Sequence, residues 1–282
     1  MEILKGKPVA DAVCIDVTKR VEDLKNNGIC PKLAIVRVGE KPDDIYYESG
    51  AKKRMESVGI DVLSVVLPAD IAQDTLEAKI SEINGDASVH GILLLMPLPK
   101  AIDENRIKSL ISVEKDIDGL TRESMVSLYE GTANGFAPCT PSAVMELLEY
   151  NKIDVSGKRV VIIGRSLVVG KPLSMLMLAK NATVTVCHSR TKDLPAVCRD
   201  ADILVAAVGR ARMVTADYIR QGAVVVDVGI NMDDEGKMCG DVDFDSASGV
   251  AGAITPVPAG VGSITTSVLA KHVVIAAERS AR

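Results

Sequence analysis

The sequence predicts an α/β protein of two domains, each built around a mainly parallel sheet. Three observations carry that prediction. Apolar strand-like runs alternate with segments of helical period from end to end. The runs are apolar at nearly every position, as expected where helices cover both faces of a parallel sheet. And 282 residues are enough for two ordinary cores.

The elements follow in order. Val9, Val13, Val17, Val21 and Leu24 recur at helical spacing and stop at "NNG", a helix-end signal. "KLAIVRVG" then reads as a strand. Helical patterns are expected near 43–58 and 72–84, with strands at "DVLSVVLP" and "GILLLMPLP". The stretch 119–142, "GLTRESMVSLYEGTANGFAPCTPS", is rich in Gly, Thr, Ser and Pro and reads as irregular connection, with a domain boundary just after it. Beyond residue 150 the rhythm returns: "KRVVIIG", "ATVTVCH", "ADILVAAV" and "AVVVDVG" are strands with helices between them. A second irregular stretch covers 252–265. The last segment, "TTSVLAKHVVIAAERSAR", has helical period and could pack back on the first domain. The expected division is 1–141, 142–262 and a C-terminal helix at 263–282.

Composition narrows the function. Apolar residues make up 47% and charged residues 25%, which is globular usage. A net charge of -5 argues against a nucleic-acid partner, which calls for a basic face. No apolar run is long enough to span a membrane, and the N-terminus lacks the basic-then-apolar order of a signal peptide. Six scattered cysteines without a C-x-x-C pair fit reduced thiols in a cytoplasm and give no metal site. The three histidines, His90, His188 and His272, have no partner motif and read as structural.

The chemistry begins where "RVVIIG" runs into "GRSLVVGKP". A strand, a glycine turn and a helix start form the phosphate-binding element of dinucleotide folds. Gly164 lets the chain turn, and Gly170 lets the helix approach the sheet. Ser166 stands where a second glycine is usual, so the motif is a variant. A P-loop fails on spacing and on Pro172. NAD-selective folds carry an acid at the end of the next strand, to bind the ribose 2′-OH. Here "TVTVCHSRT" has none. Ser189 and Arg190 stand there, with Arg165 in the glycine turn, and a hydroxyl with guanidinium groups suits a 2′-phosphate. The expected cofactor is NADP.

Read along the chain, "KDIDGL", "FAPCTPS", "GRSLVVGKP", "ATVTVCHSRT", "VVVDVGIN", "GDVDF" and "ITPVPAGVGSIT" together resemble the methylenetetrahydrofolate dehydrogenase/cyclohydrolase family. The resemblance covers essentially the whole chain. It implies an N-terminal folate-binding catalytic domain, a Rossmann-like NADP domain, a folate cleft between them, and a homodimer. Members oxidise 5,10-methylenetetrahydrofolate to the methenyl form with NADP, and many then hydrolyse that product to 10-formyltetrahydrofolate. Carried over, Gly164, Arg165 and Ser166 match the cofactor loop, Ser189 a residue near the 2′-phosphate, and Ile230 a backbone contact to the nicotinamide end. Tyr47 matches the tyrosine against the aminobenzoyl ring, and Asp118 the carboxylate that grips the pterin; these two are the expected catalytic residues. Pro258, Ala259 and Gly260 match a loop beside the folate, usually Pro-Gly-Gly. Ala143 and Ser263-Ile264 are further local departures.

Two departures bear on activity. The family pattern is a tyrosine, a lysine four residues later, and a glycine twelve residues after the tyrosine. With Gly59 as anchor the tyrosine is Tyr47 and the lysine position holds Ala51. The glutamine that pairs with that lysine is replaced by Leu95. Hydride transfer tolerates these losses; hydrolysis, which needs a proton-transfer group, does not. The chain therefore reads as a dehydrogenase with a crippled cyclohydrolase. In this reading Lys52 and Lys53 belong to a solvated face. One alternative keeps both activities through Lys52 or a water chain. Another, from a different class, is a cofactor-binding protein without turnover.

Overall fold

Strands and helices alternate as β1 (Glu2–Ile3), α1 (Gly6–Asn26), β2 (Lys32–Val38), α2 (Pro42–Ser57), β3 (Asp61–Leu67), α3 (Gln73–Gly85), β4 (Gly91–Leu94) and α4 (Glu104–Leu110). Next come α5 (Arg122–Glu130), α6 (Cys139–Tyr150), β5 (Arg159–Ile163), α7 (Gly170–Ala179), β6 (Thr183–Cys187), α8 (Leu194–Arg199) and β7 (Ile203–Ala206). The chain closes with β8 (Val224–Asp227), β9 (Asn231–Met232), β10 (Met238–Cys239), α9 (Phe244–Ser248), β11 (Ala253–Ile254) and α10 (Thr265–Ser280). The structure, a computed structural model, describes residues 1–132 and 134–281.

The elements sort into two units. One comprises Ala12–Cys139 and Thr266–Arg282, the other Met1–Asp11 and Thr140–Thr265. The sequence reading gives residues 1–141 to one domain; the structure separates the first eleven from the rest. The cause is pairing: Glu2 and Ile3 lie parallel to Ala253 and Ile254 as the last strand of the second unit's sheet.

The first unit carries a three-stranded parallel sheet in the order β3-β2-β4. Ala34, Val36 and Val38 share one face and join Ile92 and Leu94 in a core with Leu76 and Ile80 of α3 and Ile107 of α4. Residues alternate across a strand, so Leu33, Ile35 and Arg37 leave the other face. On β4, Gly91 lies so close to Ile117 and Val273 that a methyl group would crowd both. The strand expected at "GILLLMPLP" ends at Leu94, just before Pro97, which has no N–H for a ladder.

The stretch expected to be irregular between 119 and 142 contains α5. Its start is capped by Thr121 Oγ1, which accepts the Ser124 N–H at 3.1 Å, and its end is Gly131 at φ +70°. Two local caps fix a nine-residue helix that the Gly- and Ser-rich composition disguises.

The second unit holds a six-stranded sheet in the order β1-β11-β8-β7-β5-β6, parallel throughout. Its inner strands β5, β7, β8 and β11 are short and largely buried, as the apolar runs require, while the edge strands β1 and β6 are more exposed. Among the described residues no helix is long and apolar enough to cross a membrane.

Candidate functional site

In the six-stranded unit, β5 lies between β6 and β7, where the strand order reverses. In open α/β sheets the crevice at such a point, at the carboxyl ends of the strands, takes the ligand. Gly164 follows β5 at φ +127°, and a methyl group there would overlap the Ala207 carbonyl beyond β7. A methyl group on Gly170, the first residue of α7, would overlap the Gly164 carbonyl. Both glycines are thus required by close backbone approach. Arg165 and Ser166 between them are exposed, and Ser166 Oγ accepts the Val169 N–H at 3.0 Å. No side chain caps the start of α7, so its first turn keeps the positive end of the helix dipole open.

The neighbouring strand brings the other predicted groups. Ile163 pairs with Cys187, and the Gly164 N–H donates to the Cys187 carbonyl at 2.9 Å. Ser189 and Arg190 therefore leave β6 beside the Gly164–Arg165 turn, and both are exposed. His188 is a turn residue: its N–H donates to Thr191 Oγ1 at 2.9 Å and its Nδ1 accepts the Arg190 N–H at 3.1 Å. Ile230 follows β8 and is 64% exposed. Pro258 and Ala259, exposed, and buried Gly260 follow β11 at the same end of the sheet. Ala259 sits at φ +78°, and its carbonyl accepts the Gly6 N–H at 2.8 Å. These residues fit a dinucleotide: a backbone cradle that a Cβ would fill, an open helix start, and a cationic strand end without a carboxylate.

In the three-stranded unit, α2 begins at Pro42 with Asp43 and Asp44 in its first turn, favourable at the positive helix end. Tyr47, Ala51 and Met55 fall four apart and share a stripe. Ala51 and Met55 are fully buried and Tyr47 is half-buried, whereas Tyr46 points out at 82% exposure. Asp118 Oδ1 accepts the Cys139 N–H at 3.0 Å. Burial, with the fields of Cys139 and Asp118 behind it, holds the Tyr47 phenol far above its usual range, so it is neutral. Burial likewise pushes the Asp118 carboxyl up, opposed by the Cys139 N–H. Tyr47 and Asp118, 71 positions apart in the chain, are thus brought together. Cys139, which completes the group, lies in "FAPCTPS", where nothing in the local sequence marks it as a site residue. His272, buried and with its pKa lowered to about 4, is neutral; its Nδ1–H donates to the Ile117 carbonyl at 2.8 Å and steadies the residue before Asp118.

The structure corrects one expectation. Lys53 is exposed, but Lys52 is not part of a solvated face. Its Nζ lies 2.9 Å from Glu48 Oε1, and Arg37 Nε lies 2.6 Å from Glu48 Oε2. Arg37 also donates to the Gly39 carbonyl. Glu48 and Arg37 are buried. Burial alone would raise the Glu48 carboxyl, but Arg37 and Lys52 outweigh it and hold it below the usual range. The signal was present in the sequence, since an arginine inside the apolar run "KLAIVRV" requires a buried partner. Leu95 is buried, and its N–H donates to the Val36 carbonyl at 3.0 Å. The register that pairs Val36 with Leu94 continues to place Leu95 beside Arg37, on the face where Arg37 meets α2.

Two family models match the chain. Tetrahydrofolate dehydrogenase/cyclohydrolase, catalytic domain, covers residues 4–118, and the NAD(P)-binding domain of the same name covers residues 138–281. The bifunctional protein FolD of Carboxydothermus hydrogenoformans is 58% identical over 279 residues, 98% of this chain and 97% of that protein. FolD of Alkaliphilus oremlandii is 54% identical, covering 96% and 95%. Among solved structures, the bifunctional FolD methylenetetrahydrofolate dehydrogenase/cyclohydrolase from Campylobacter jejuni superposes with a TM-score of 0.96 at 40% identity, covering 99% of each chain. The Trypanosoma brucei N5,N10-methylenetetrahydrofolate dehydrogenase-cyclohydrolase, solved with NADP cofactor and inhibitor, gives 0.93 at 36%, covering 99% and 98%.

Proposed function

Since the chain belongs to the tetrahydrofolate dehydrogenase/cyclohydrolase family, we propose that it oxidises 5,10-methylenetetrahydrofolate to 5,10-methenyltetrahydrofolate with NADP. The observation that carries this reading is the glycine cradle beside a strand end that offers Ser189, Arg190 and Arg165 and no acid. NADP supplies a hydride acceptor at its nicotinamide. A C–H bond of the folate methylene breaks, its electron pair leaves as hydride, and a neighbouring nitrogen lone pair forms the amidinium. No proton need move, so the protein's task is mainly positioning.

The residues divide that task. Gly164 and Gly170 admit the pyrophosphate to the start of α7, while Arg165, Ser189 and Arg190 take the 2′-phosphate. Ser166 shapes the turn, and Ile230 holds the nicotinamide end through its backbone. Tyr47 offers a neutral aromatic face to the aminobenzoyl ring. Asp118 accepts pterin N–H groups, which would restore its charge as they dock. Pro258, Ala259 and Gly260 border the folate.

The cyclohydrolase step is reduced or absent in this reading. The family's lysine position is buried Ala51 and its glutamine is buried Leu95. Lys52, the substitute in the bifunctional alternative, is engaged with Glu48, a carboxylate it shares with Arg37. Loss of a positioned acid-base group typically removes about 10²–10⁴-fold from such a step. A homodimer is supported by β3, an edge strand with Leu63 39% and Val66 50% exposed, since an apolar edge invites pairing with a second copy. We place the enzyme in the cytoplasm, where six free thiols stay reduced.

The test supplies the protein with methylenetetrahydrofolate and NADP and follows reduced cofactor and methenyl product separately. Equal and lasting accumulation of both supports the reading. No NADP reduction would remove it, and methenyl product consumed as fast as it forms would return the bifunctional alternative.

A further inference from the structure

Three consecutive backbone N–H groups after β7 close on one carboxylate. Val208 and Gly209 donate to Asp241 Oδ2 at 2.6 and 3.1 Å, and Arg210 donates to Asp241 Oδ1 at 2.8 Å. Asn231, the first residue of β9 at the end of the loop after β8, donates its Nδ2–H to the same Oδ1 at 3.0 Å. Asp241 is fully buried, and its own N–H is held by Asp227 Oδ1 at 3.0 Å.

A concave run of N–H groups at the carboxyl end of a parallel strand is the kind of place that binds an anionic ligand. Here the protein's own carboxylate fills it. The 208–210 loop is therefore committed to a tether that joins it to the loop after β8. That second loop carries Ile230 between Gly229 and Asn231. Gly229 lies so tightly on Asp241 that a methyl group there would overlap its carboxylate, which fixes the approach to Ile230. The pairing of β7 with β8, Ile203↔Val224 through Ala206↔Asp227, is complete without the Asn231 side chain. What that side chain adds lies beyond the strands, at the crevice.

We infer that Asp241 and Asn231 are positioning residues for hydride transfer: their bond sets where Ile230 stands, and through it where the nicotinamide end of the cofactor is held. The inference rests on the dehydrogenase reading and on the assignment of Ile230 to that end. The grip on the 2′-phosphate, at β5 and β6, is separate from it. Weakening the tether should therefore slow the chemical step and leave cofactor affinity in place.

The test uses the full-length enzyme with NADP and with methylenetetrahydrofolate, plain or deuterated at the methylene carbon. In Asn231→Ala, kcat should fall about tenfold and the deuterium isotope effect on kcat should rise, while KM for NADP changes less than twofold. Asn231→Asp keeps the shape but aims a second carboxylate at Asp241, so it should do no better than alanine. Thermal stability measured on the same samples separates a general loss of structure, which would not raise the isotope effect. Wild-type kcat and isotope effect in Asn231→Ala, or a loss confined to KM for NADP, overturns the inference alone. Absence of NADP reduction by the wild-type enzyme overturns the dehydrogenase reading, and the inference with it.

Discussion

Glu48 and Lys52 stand one helical turn apart on α2 with 2.9 Å between their charges, and Arg37 holds the other oxygen of the same carboxylate at 2.6 Å. The three charges are unequal in worth. Arg37 and Glu48 are buried, so removing the carboxylate leaves a buried cation, which typically costs about 3–5 kcal/mol. Lys52 is more exposed, and its bond is worth about 1 kcal/mol or less. Glu48→Gln should lower the unfolding free energy by about 3 kcal/mol and Lys52→Ala by about 1, read from urea titrations. Equal effects would mean that burial does not set the energy here.

The same corner decides the second activity. Ala51→Lys with Leu95→Gln should hydrolyse added methenyltetrahydrofolate faster than either single change, after correction for spontaneous decay. A lone lysine at 51 would face Leu95 without a polar partner in a buried setting. Unmodified protein that hydrolyses this compound as fast as it reduces NADP would contradict the assignment and make Lys52 the next residue to change.

Cofactor choice should depend on Arg165. Losing a charge-assisted bond to the 2′-phosphate costs roughly 1.5–3 kcal/mol, or about one to two decades in affinity. Dissociation constants for NADP and NAD should converge in Arg165→Ala. An unchanged ratio would place selectivity on Ser189 or Arg190.

Asp118→Ala should abolish dehydrogenase turnover while NADP binding survives. Its Oδ1 accepts the Cys139 N–H at 3.0 Å, and a carboxylate has more acceptor sites than that one bond fills, which leaves capacity for a substrate. Full turnover in the variant would remove Asp118 from the folate site.

Stability against pH should show two opposed groups. Burial first, with Asp241 adding to it, raises Asp227 to about 6, against N–H bonds from Val242, Asp241 and Gly229. A raised carboxyl contributes stability below its unfolded value and loses it as pH rises through 6. Burial lowers His272 to about 4, and a depressed imidazole loses its contribution as pH falls from about 6.5 to 4. Each shift is worth roughly 3 kcal/mol and the signs oppose, so these two groups nearly cancel between pH 4 and 6.5. His272→Asn should make the protein gain stability on acidification over that range, and Asp227→Asn should make it lose stability. The same slope in both variants would refute the opposition.

The sequence alone determined the alternation of apolar strands and helices, the glycine turn after "VVIIG", and the missing acid after "TVTVC". Each is local: a strand's apolar run, a helix's spacing and a glycine's freedom at φ +127° are properties of neighbouring residues. Ala51 and Leu95 were legible for the same reason, as single positions against a known pattern. Tertiary structure decided the rest. Glu2 and Ile3 look like the start of the first domain until Ala253 and Ile254 claim them as a parallel partner. Lys52 looks solvated until Glu48, itself drawn inward by Arg37, takes hold of it. Asp241 is one acid in "GDVDF" until three N–H groups from residues 208–210 and the side chain of Asn231 close on it. A buried charge must find partners, and which partners it finds depends on where the fold delivers them.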